Sequence, residues 1–286
     1  MQEKIIQIDV AAIVRSKTSR RVPKRLLRRL AKIIHQDEIN VFLRGEGRFW
    51  GYPFFGAVLK LVNFTGHIVN LENIERDRRF IFVANHPLGA LEAMAIGEQF
   101  GSYFGEDKIN FITNDLLSHL LPLADYFTPV NVVSSSQERD VVDRLDKLFA
   151  SDKQIIIFPS GACSRRFGKT IADFEWKKMF VAKARQYGRD VVPVHITGRN
   201  SNFFYNLSAV RRALGVKFNL ELLFLPDEMF KQRNNAIQIT VGTPVAWQTF
   251  DRSYSDFQWA QKIRRMVYDM GENALSTQVL NRKKGC

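Results

Sequence analysis

From residue 66 onward, the chain alternates short apolar runs with longer segments whose apolar residues recur at helical spacing. Short strands in alternation with helices are typical of an α/β fold built around a mostly parallel sheet. The predicted strands cover residues 80–84, 108–113, 126–133, 154–158, 190–197, 220–225 and 236–241. The predicted helices cover residues 91–100, 137–150, 175–187 and 255–270, with Ser255 as the N-cap of the last one. The pattern therefore predicts an α/β domain over residues 66–286, in which helices flank the central sheet and a helix closes the C-terminus.

Residues 1–65 have a different pattern, which predicts a basic, amphipathic helical extension. Pro23 suits the first position of a helix. An apolar stripe at helical spacing follows it, formed by Leu26, Leu27, Leu30, Ile33 and Ile34. Lys and Arg residues occupy the other face. Such a helix is able to lie in a membrane interface, or to pack on its own domain with the basic face in solvent, and the sequence leaves both interpretations open.

Composition narrows the class of protein. Apolar residues make up 45% of the 286 positions and charged residues 25%, which is ordinary for a globular protein and excludes a disordered chain or a disulfide scaffold. The net charge of +13 favours anionic partners such as nucleic acid, anionic lipid or acidic protein. Two cysteines, Cys163 and Cys286, fit a reducing compartment. We expect neither a signal peptide nor a transmembrane helix, because the most apolar stretch (residues 49–64) is shorter than a span of ~20 residues.

The first predicted strand runs directly into a histidine. The segment from Asn85 to Glu92 reads Asn-His-Pro-Leu-Gly-Ala-Leu-Glu, which places His86 at the carboxyl end of a strand. Ligands of open α/β sheets bind at that edge. If the backbone folds back at Gly89, Glu92 is able to meet the ring of His86, and a carboxylate on one ring nitrogen makes the other a better base. Glu92 also has a simpler interpretation, since acidic residues stabilise helix N-termini.

Two more strand ends carry polar residues. The run from Phe158 to Arg166 reads Phe-Pro-Ser-Gly-Ala-Cys-Ser-Arg-Arg, and Arg199 follows the strand at 190–197. Paired guanidiniums are suited to bind a phosphate or a carboxylate, although a basic surface pair explains the two arginines equally well. We expect the three strand ends to converge on one crevice.

Together, these segments resemble the conserved blocks of the glycerolipid acyltransferase superfamily. They are Asn-His-Pro-Leu-Gly at 85–89, Phe-Pro-Ser-Gly followed by Ser-Arg at 158–165, and Val-Pro-Val followed by Gly-Arg-Asn-Ser at 192–201. The sequence looks most like the hemolysin-like branch, bacterial O-acyltransferases that make ornithine or glycine lipids. Segments 33–40, 114–117, 173–178 and 203–205 also resemble that branch, so the similarity covers nearly the whole chain.

The resemblance implies a reaction and a set of residues. His86 is the expected base that activates the hydroxyl of a lyso-lipid, Glu92 is its acidic partner, and the donor is an acyl thioester of acyl carrier protein or coenzyme A. No metal and no other cofactor is implied. The residues expected to bind substrate are Asn85, Gly89, Pro159, Ser160, Gly161, Ser164, Arg165, Arg166 and Arg199. The implied location is cytoplasmic, peripheral on the inner, anionic face of the cell membrane.

Three positions depart from the family pattern. Glu92 stands where the family usually has aspartate, Ala90 where it has glycine, and Ser160 where the broader superfamily has glutamate. Two alternatives therefore stay open: a lysophosphatidate acyltransferase, and a catalytically silent relative that binds lipid.

The net charge and Cys163 raise two further classes of protein. The sequence has no zinc-ligand spacing, helix-turn-helix or RNA-recognition signature, so we expect no nucleic-acid partner. A cysteine acyltransferase would use Cys163 as nucleophile and His195 as base, but a buried cysteine is more often a small apolar filler.

Overall fold

The computed structural model describes residues 8–17, 22–45, 50–113, 121–130, 135–216 and 219–284. Its strands are β1 (Thr65–Val69), β2 (Phe80–Ala84), β3 (Ile109–Thr113), β4 (Phe127–Pro129), β5 (Gln154–Ile157), β6 (Arg165–Phe167), β7 (Thr170–Ala172), β8 (Asp190–Ile196) and β9 (Ala236–Val241). Seven of them form one sheet in the order β1-β9-β8-β2-β5-β3-β4, and β6 pairs with β7 in a separate hairpin.

The sheet is mostly parallel, as the sequence predicts. β8, β2, β5, β3 and β4 run in the same direction, whereas β9 pairs antiparallel with β8 and parallel with the edge strand β1. Every residue of β2 and of β5 is buried. This burial on both faces explains why the central strands appear in the sequence as continuous apolar runs rather than as alternating patterns.

Helices cover both faces of the sheet. They are α1 (Val10–Lys17), α2 (Lys24–Ile33), α3 (Gln36–Arg44), α4 (Pro53–Leu61), α5 (Leu91–Phe104), α6 (Ser135–Ala150), α7 (Met179–Tyr187), α8 (Asn202–Ala213), α9 (Leu225–Lys231) and α10 (Asp256–Lys284). Alternate residues of β2 belong to different clusters: Phe80 and Phe82 pack with α4 and α5, while Ile81 and Val83 pack with α6, α7 and α10. The core is therefore two apolar layers separated by the sheet.

The N-terminal segment contains two kinds of helix. No residue of α2 is buried, and Leu26 on its apolar stripe is 47% exposed. By contrast, Phe54 and Phe55 of α4 lie in the main core against α5. The predicted boundary between residues 65 and 66 falls at the start of β1, so one core spans both sides of it.

Most predicted elements are present, with shifted ends. The Ser255 hydroxyl accepts from the backbone N–H of Gln258 at 3.3 Å, as expected of an N-cap. The sequence did not predict β1 or the β6–β7 hairpin. Residues 131–133 of one predicted strand, the segment 114–117 and Cys286 lie outside the described residues. Within the part of the chain that the structure describes, no helix has the length and apolarity needed to cross a membrane.

The structure corrects two predictions about strands. Pro193 indicated an edge or a strand end, but β8 lies inside the sheet between β9 and β2. The carbonyl of Pro193 accepts from the Gly242 N–H at 2.8 Å, just past the end of β9. Proline has no N–H of its own, and this position tolerates it because it lies where the pairing of β8 with β9 ends. Residues 220–225 were predicted as a strand, whereas Leu220–Phe224 forms a 3-10 helix. Glu221 holds this segment through ion pairs with two arginines.

Candidate active site

The carboxyl ends of three adjacent strands meet at one edge of the sheet, as the sequence predicts. Asn85, directly after β2, bonds Ile196 at the end of β8 in both directions: its Nδ2 donates to the carbonyl at 2.8 Å, and its Oδ1 accepts from the N–H at 2.7 Å. The N–H of Ser164, in the loop after β5, donates to the His86 carbonyl at 2.7 Å. Asn85 is buried and joins two strands, so it supports the crevice from behind.

His86 and Glu92 form the hydrogen-bonded pair that the sequence predicts. His86 Nδ1 lies 3.0 Å from Glu92 Oε1, which also accepts from the backbone N–H groups of Leu88 and Gly89 at 2.8 Å each. Glu92 is completely buried in the first turn of α5, and 13% of the His86 side chain is exposed. Because an ionised carboxylate only accepts, Nδ1 carries the proton and Nε2 is the basic nitrogen of the neutral ring.

Gly89 makes this arrangement sterically possible. Its φ of +111° lies in a region that side chains rarely adopt, and it turns the chain back between β2 and α5. A Cβ atom here would lie 2.9 Å from Cys163 Sγ and 3.1 Å from Leu225 Cδ2. The glycine therefore brings two N–H groups to Glu92 while leaving room for neighbouring side chains.

The electrostatics of the pair favour its charged form. Burial lowers the pKa of His86, but its electrostatic interactions and hydrogen bonds with Cys163 and with the Glu92 carboxylate outweigh this effect and hold the pKa well above its ordinary value. Burial raises the pKa of Glu92, yet the charge of His86 and the hydrogen bonds to the carboxylate leave it below its ordinary value. The imidazolium form is thus stabilised, which is what a base that accepts a proton during the reaction requires.

Two further side chains border the imidazole ring. Phe158 stacks on it with ring centroids 4.2 Å apart. Cys163 interacts with it and packs against Phe204 and Tyr205. His195, considered from the sequence as the base for Cys163, instead packs against Gly271 and Tyr268 of α10. The structure therefore places Cys163 beside His86, a neighbour that sequence reasoning missed because no local pattern joins the two.

The Phe-Pro-Ser-Gly turn after β5 is largely held by its own backbone. The Gly161 N–H donates to the Phe158 carbonyl at 3.0 Å, and Gly161 has a φ of +69°. Ser160 is buried, and its hydroxyl donates to the Ala162 carbonyl at 2.7 Å. The Pro159 carbonyl accepts from the N–H of Lys177 at 3.0 Å. These residues shape the wall of the site, and a direct role in binding substrate stays a prediction for them.

Arg165 does not present its guanidinium to a ligand. The side chain is 2% exposed; its Nη2 lies 3.1 Å from Glu221 Oε1, and its Nη1 donates to the Cys163 carbonyl at 2.7 Å. Arg211 pairs with the other oxygen of Glu221 at 2.7 Å. A buried ion pair of this kind is costly to break, so the protein itself holds this guanidinium, and the head-group role expected of Arg165 stays a prediction. Burial could not be predicted from the sequence, because the partner carboxylate lies 56 positions away.

Arg166 and Arg199, in contrast, converge near the surface. An Nη2 atom of each donates to the same acceptor, Asn202 Oδ1, at 2.7 Å and 2.5 Å respectively. The loop of Arg199 touches the segment that carries His86, since Asn200 Nδ2 donates to the Leu88 carbonyl at 3.2 Å. Arg166, in β6, follows the loop whose Ser164 N–H donates to the His86 carbonyl. Two cations that share one neutral oxygen leave a site suited to an anion. Sequence reasoning missed Asn202, whose role depends on the two arginines meeting.

Comparisons with known proteins identify the family of the chain. A family model described as acyltransferase matches residues 10–276. The chain is 42% identical over 271 residues to a lyso-glycine lipid O-acyltransferase of Bacteroides thetaiotaomicron, covering 94% of this chain and 99% of that protein. It is 41% identical over 271 residues to a lyso-glycine lipid O-acyltransferase of Phocaeicola vulgatus, covering 94% of this chain and 96% of that one.

Among solved structures, the chain is similar to the 1-acyl-sn-glycerophosphate acyltransferase of Thermotoga maritima. The two share 19% sequence identity and superpose with a TM-score of 0.46, over 91% of this chain and 88% of the other.

Proposed function

This chain belongs to the acyltransferase family, and from that premise we propose that it transfers a fatty acyl group from an acyl thioester to the hydroxyl of a lyso-glycine lipid. The observation that carries the proposal is the bond between His86 Nδ1 and Glu92 Oε1, 3.0 Å long, at the carboxyl edge of the sheet. The acyltransferase activity follows from the family, and the acceptor is suggested by the two bacterial relatives. The proposed donor is acyl carrier protein or coenzyme A carrying the acyl group.

The chemistry needs one base and one orienting carboxylate. His86 Nε2 removes the proton from the lyso-lipid hydroxyl, and the oxygen attacks the thioester carbonyl to form a tetrahedral intermediate. The intermediate collapses to the ester and expels the thiolate, which takes the proton from the imidazolium. Glu92 holds the Nδ1–H tautomer and stabilises the positive ring that forms between the two proton transfers.

The anionic head of the acceptor is proposed to bind between Arg166 and Arg199. The carboxylate of a glycine head group has two oxygens, one for each guanidinium, and it replaces the single neutral oxygen of Asn202 with a charged acceptor. Because Arg166 follows the loop that bonds His86, a head group held here keeps the lipid close to the base.

Membrane binding is proposed to occur through α2. None of its residues is fully buried: Leu26 is exposed, whereas Leu27, Leu30 and Ile33 are partly covered. Five of its ten residues are Lys or Arg. Each cation near an anionic leaflet contributes about 1 kcal/mol, so α2 supplies about 5 kcal/mol at most, enough for peripheral attachment. The proposed location is the inner face of the cell membrane, where both the lyso-lipid and its acylated product reside.

An acyl-transfer assay tests the function. The donor is acyl carrier protein with a labelled acyl group, and the acceptors are lyso-glycine lipid, lyso-ornithine lipid and lysophosphatidic acid. We expect labelled product from the lyso-glycine lipid with the wild-type protein and with His67→Ala, which changes an exposed histidine on β1. His86→Ala should give none. Product from lysophosphatidic acid alone would replace the proposed acceptor. No product with any acceptor, from acyl carrier protein or in a repeat with the coenzyme A thioester, would refute catalysis.

A further inference from the structure

A second carboxylate, Asp173, lies beside the catalytic histidine. It is 2% exposed and follows β7 in the Asp-Phe-Glu-Trp segment. Its Oδ1 accepts from the backbone N–H of His86 at 3.2 Å and from the Ser164 hydroxyl at 2.6 Å, while its Oδ2 accepts from Trp176 Nε1 at 3.0 Å. These donors are neutral. A carboxylate buried among neutral donors is costly to maintain, so three converging hydrogen bonds indicate a specific task.

The backbone of His86 is held on both of its polar groups by this arrangement. Asp173 accepts from the N–H, and Ser164 donates its own N–H to the carbonyl at 2.7 Å. The peptide units at 85–87 lie between β2 and α5, outside regular secondary structure. These two bonds fix the backbone from which the imidazole ring reaches Glu92 and Phe158.

We propose that Asp173 is a positioning residue for His86: it fixes the histidine backbone so that the ring meets Glu92 on one side and the acceptor hydroxyl on the other, and its charge helps to stabilise the imidazolium. The inference rests on the proposed function, in which His86 is the base. Through Ser164, the same carboxylate couples the loop after β5 to the loop after β2. The segment 173–176 therefore helps to position His86, a role that no local pattern in its sequence predicts.

Asp173 is one of three groups that approach the imidazole ring of His86 from different elements of the fold. Glu92 of α5 contacts Nδ1, and Cys163 approaches from the loop after β5. Asp173 accepts a hydrogen bond from the backbone N–H of His86. The Asp173 carboxylate and the His86 ring interact through their charges. Burial raises the pKa of Asp173 above its ordinary value, although its hydrogen bonds to Ser164 and Trp176 and the charge of His86 oppose this. The stabilising charge is therefore present above the pKa of Asp173.

The variant Asp173→Asn tests the proposal, because an amide is similar in size but has one acceptor oxygen for three donors. Displacement of a base by about 1 Å costs about 100-fold in rate, so we expect a 10-fold to 100-fold lower kcat with KM unchanged for both substrates. Loss of the negative charge also lowers the pKa of His86. The rising limb of the rate against pH should therefore move to lower pH.

Tyr268→Phe is the matched control. The Tyr268 hydroxyl accepts from the backbone N–H of Asp173 at 2.8 Å, so its removal disturbs the same segment but leaves the carboxylate in place. We expect a lower melting temperature and an unchanged pH profile. Equal losses of kcat in the two variants, with no pH shift in either, would show that Asp173 is merely structural and would overturn the proposal.

The titration of His86, followed by NMR in protein labelled with ¹⁵N-histidine, separates this inference from the proposed function. A lower midpoint in Asp173→Asn supports the inference even if the wild-type protein acylates none of the acceptors, in which case the proposed function fails alone. An unchanged midpoint in an active protein refutes the inference alone. If Asp173→Asn does not fold, Asp173→Ser removes the same charge and keeps a hydroxyl that accepts a hydrogen bond, and we expect a shift in the same direction; no shift would again refute the inference.

Discussion

Replacing Glu92 with glutamine tests the proposed catalytic pair of His86 and Glu92 most directly. Glutamine retains an oxygen for the backbone N–H groups of Leu88 and Gly89, but it carries no charge to face the imidazolium. At the observed separation of 3.0 Å and an effective dielectric constant of about 20, the interaction of two unit charges is about 5 kcal/mol. If roughly half of the charge has developed on the ring in the transition state, the loss is about 2.5–3 kcal/mol, or about 100-fold in kcat.

The pH dependence gives a second readout with a definite sign. In the wild-type protein, the pKa of His86 lies well above its ordinary value, so the fraction of neutral base, and with it the rate, rises with pH through that raised pKa. Glu92→Gln removes the carboxylate, lowers the pKa of His86 and moves the rising limb to lower pH. The stability that the pair contributes is lost as pH rises through the raised pKa of His86 or falls through the lowered pKa of Glu92.

The assay is the initial rate of acyl transfer to lyso-glycine lipid across a pH series, alongside the melting temperature. Glu98→Gln is the matched control, because it removes a carboxylate from the same helix, α5, at a partly exposed position. We expect Glu98→Gln to match the wild-type protein in rate and pH profile. Full turnover in Glu92→Gln with an unmoved pH profile would refute the role assigned to the carboxylate.

Three other predictions follow from the site and the fold. Arg166→Ala and Arg199→Ala should each raise KM for the anionic acceptor about 10-fold and leave KM for the donor unchanged, because each removes one charge-assisted bond; equal KM values for the acceptor would exclude the arginine pair as its binding site. Gly89→Ala should abolish activity and lower the melting temperature, since the new Cβ meets Cys163 Sγ at 2.9 Å at a φ of +111°; a fully active variant would contradict the strained turn. Deletion of residues 1–35 should abolish sedimentation with anionic liposomes, and retained sedimentation at moderate salt would show that α2 is not the membrane contact.

The central strands could be predicted from the sequence because burial on both faces leaves an unambiguous mark. The run of Phe80–Ala84 is apolar throughout, and its position fixes His86 at the edge where ligands bind. β1 carries no such mark: Thr65–Val69 contains a glycine and an exposed histidine, and its pairing with β9 depends on residues far along the chain. The strand predicted at 220–225 was wrong, because the apolar residues of this run belong to a 3-10 helix that Glu221 holds in place.

The candidate site was likewise predictable only where its residues are close in sequence. His86 and Glu92 are six positions apart, so local geometry allowed their contact, and the resemblance to the family selected it over the simpler interpretation of Glu92. Arg165 and Arg166 are adjacent and chemically identical in sequence, yet one is buried against Glu221 and the other reaches Asn202. Only the packing of α8 and the 3-10 helix at Leu220–Phe224 distinguishes them, and no local pattern encodes it.

The pairing of β1 with β9 has a consequence for how the protein is made. Thr65 lies opposite Ala236, so the 170 residues between the two must be synthesised before this edge of the sheet can close. At translation rates of about 5–20 residues per second, the interval lasts about 10–30 s. During this interval, the backbone of β1 lacks its strand partner β9 on the ribosome-bound chain. The core around Phe54 and Phe55 of α4 is also incomplete, because it includes residues of β9. Production of soluble protein should therefore depend on shielding this nascent edge, and slower synthesis of residues 66–235 should increase aggregation.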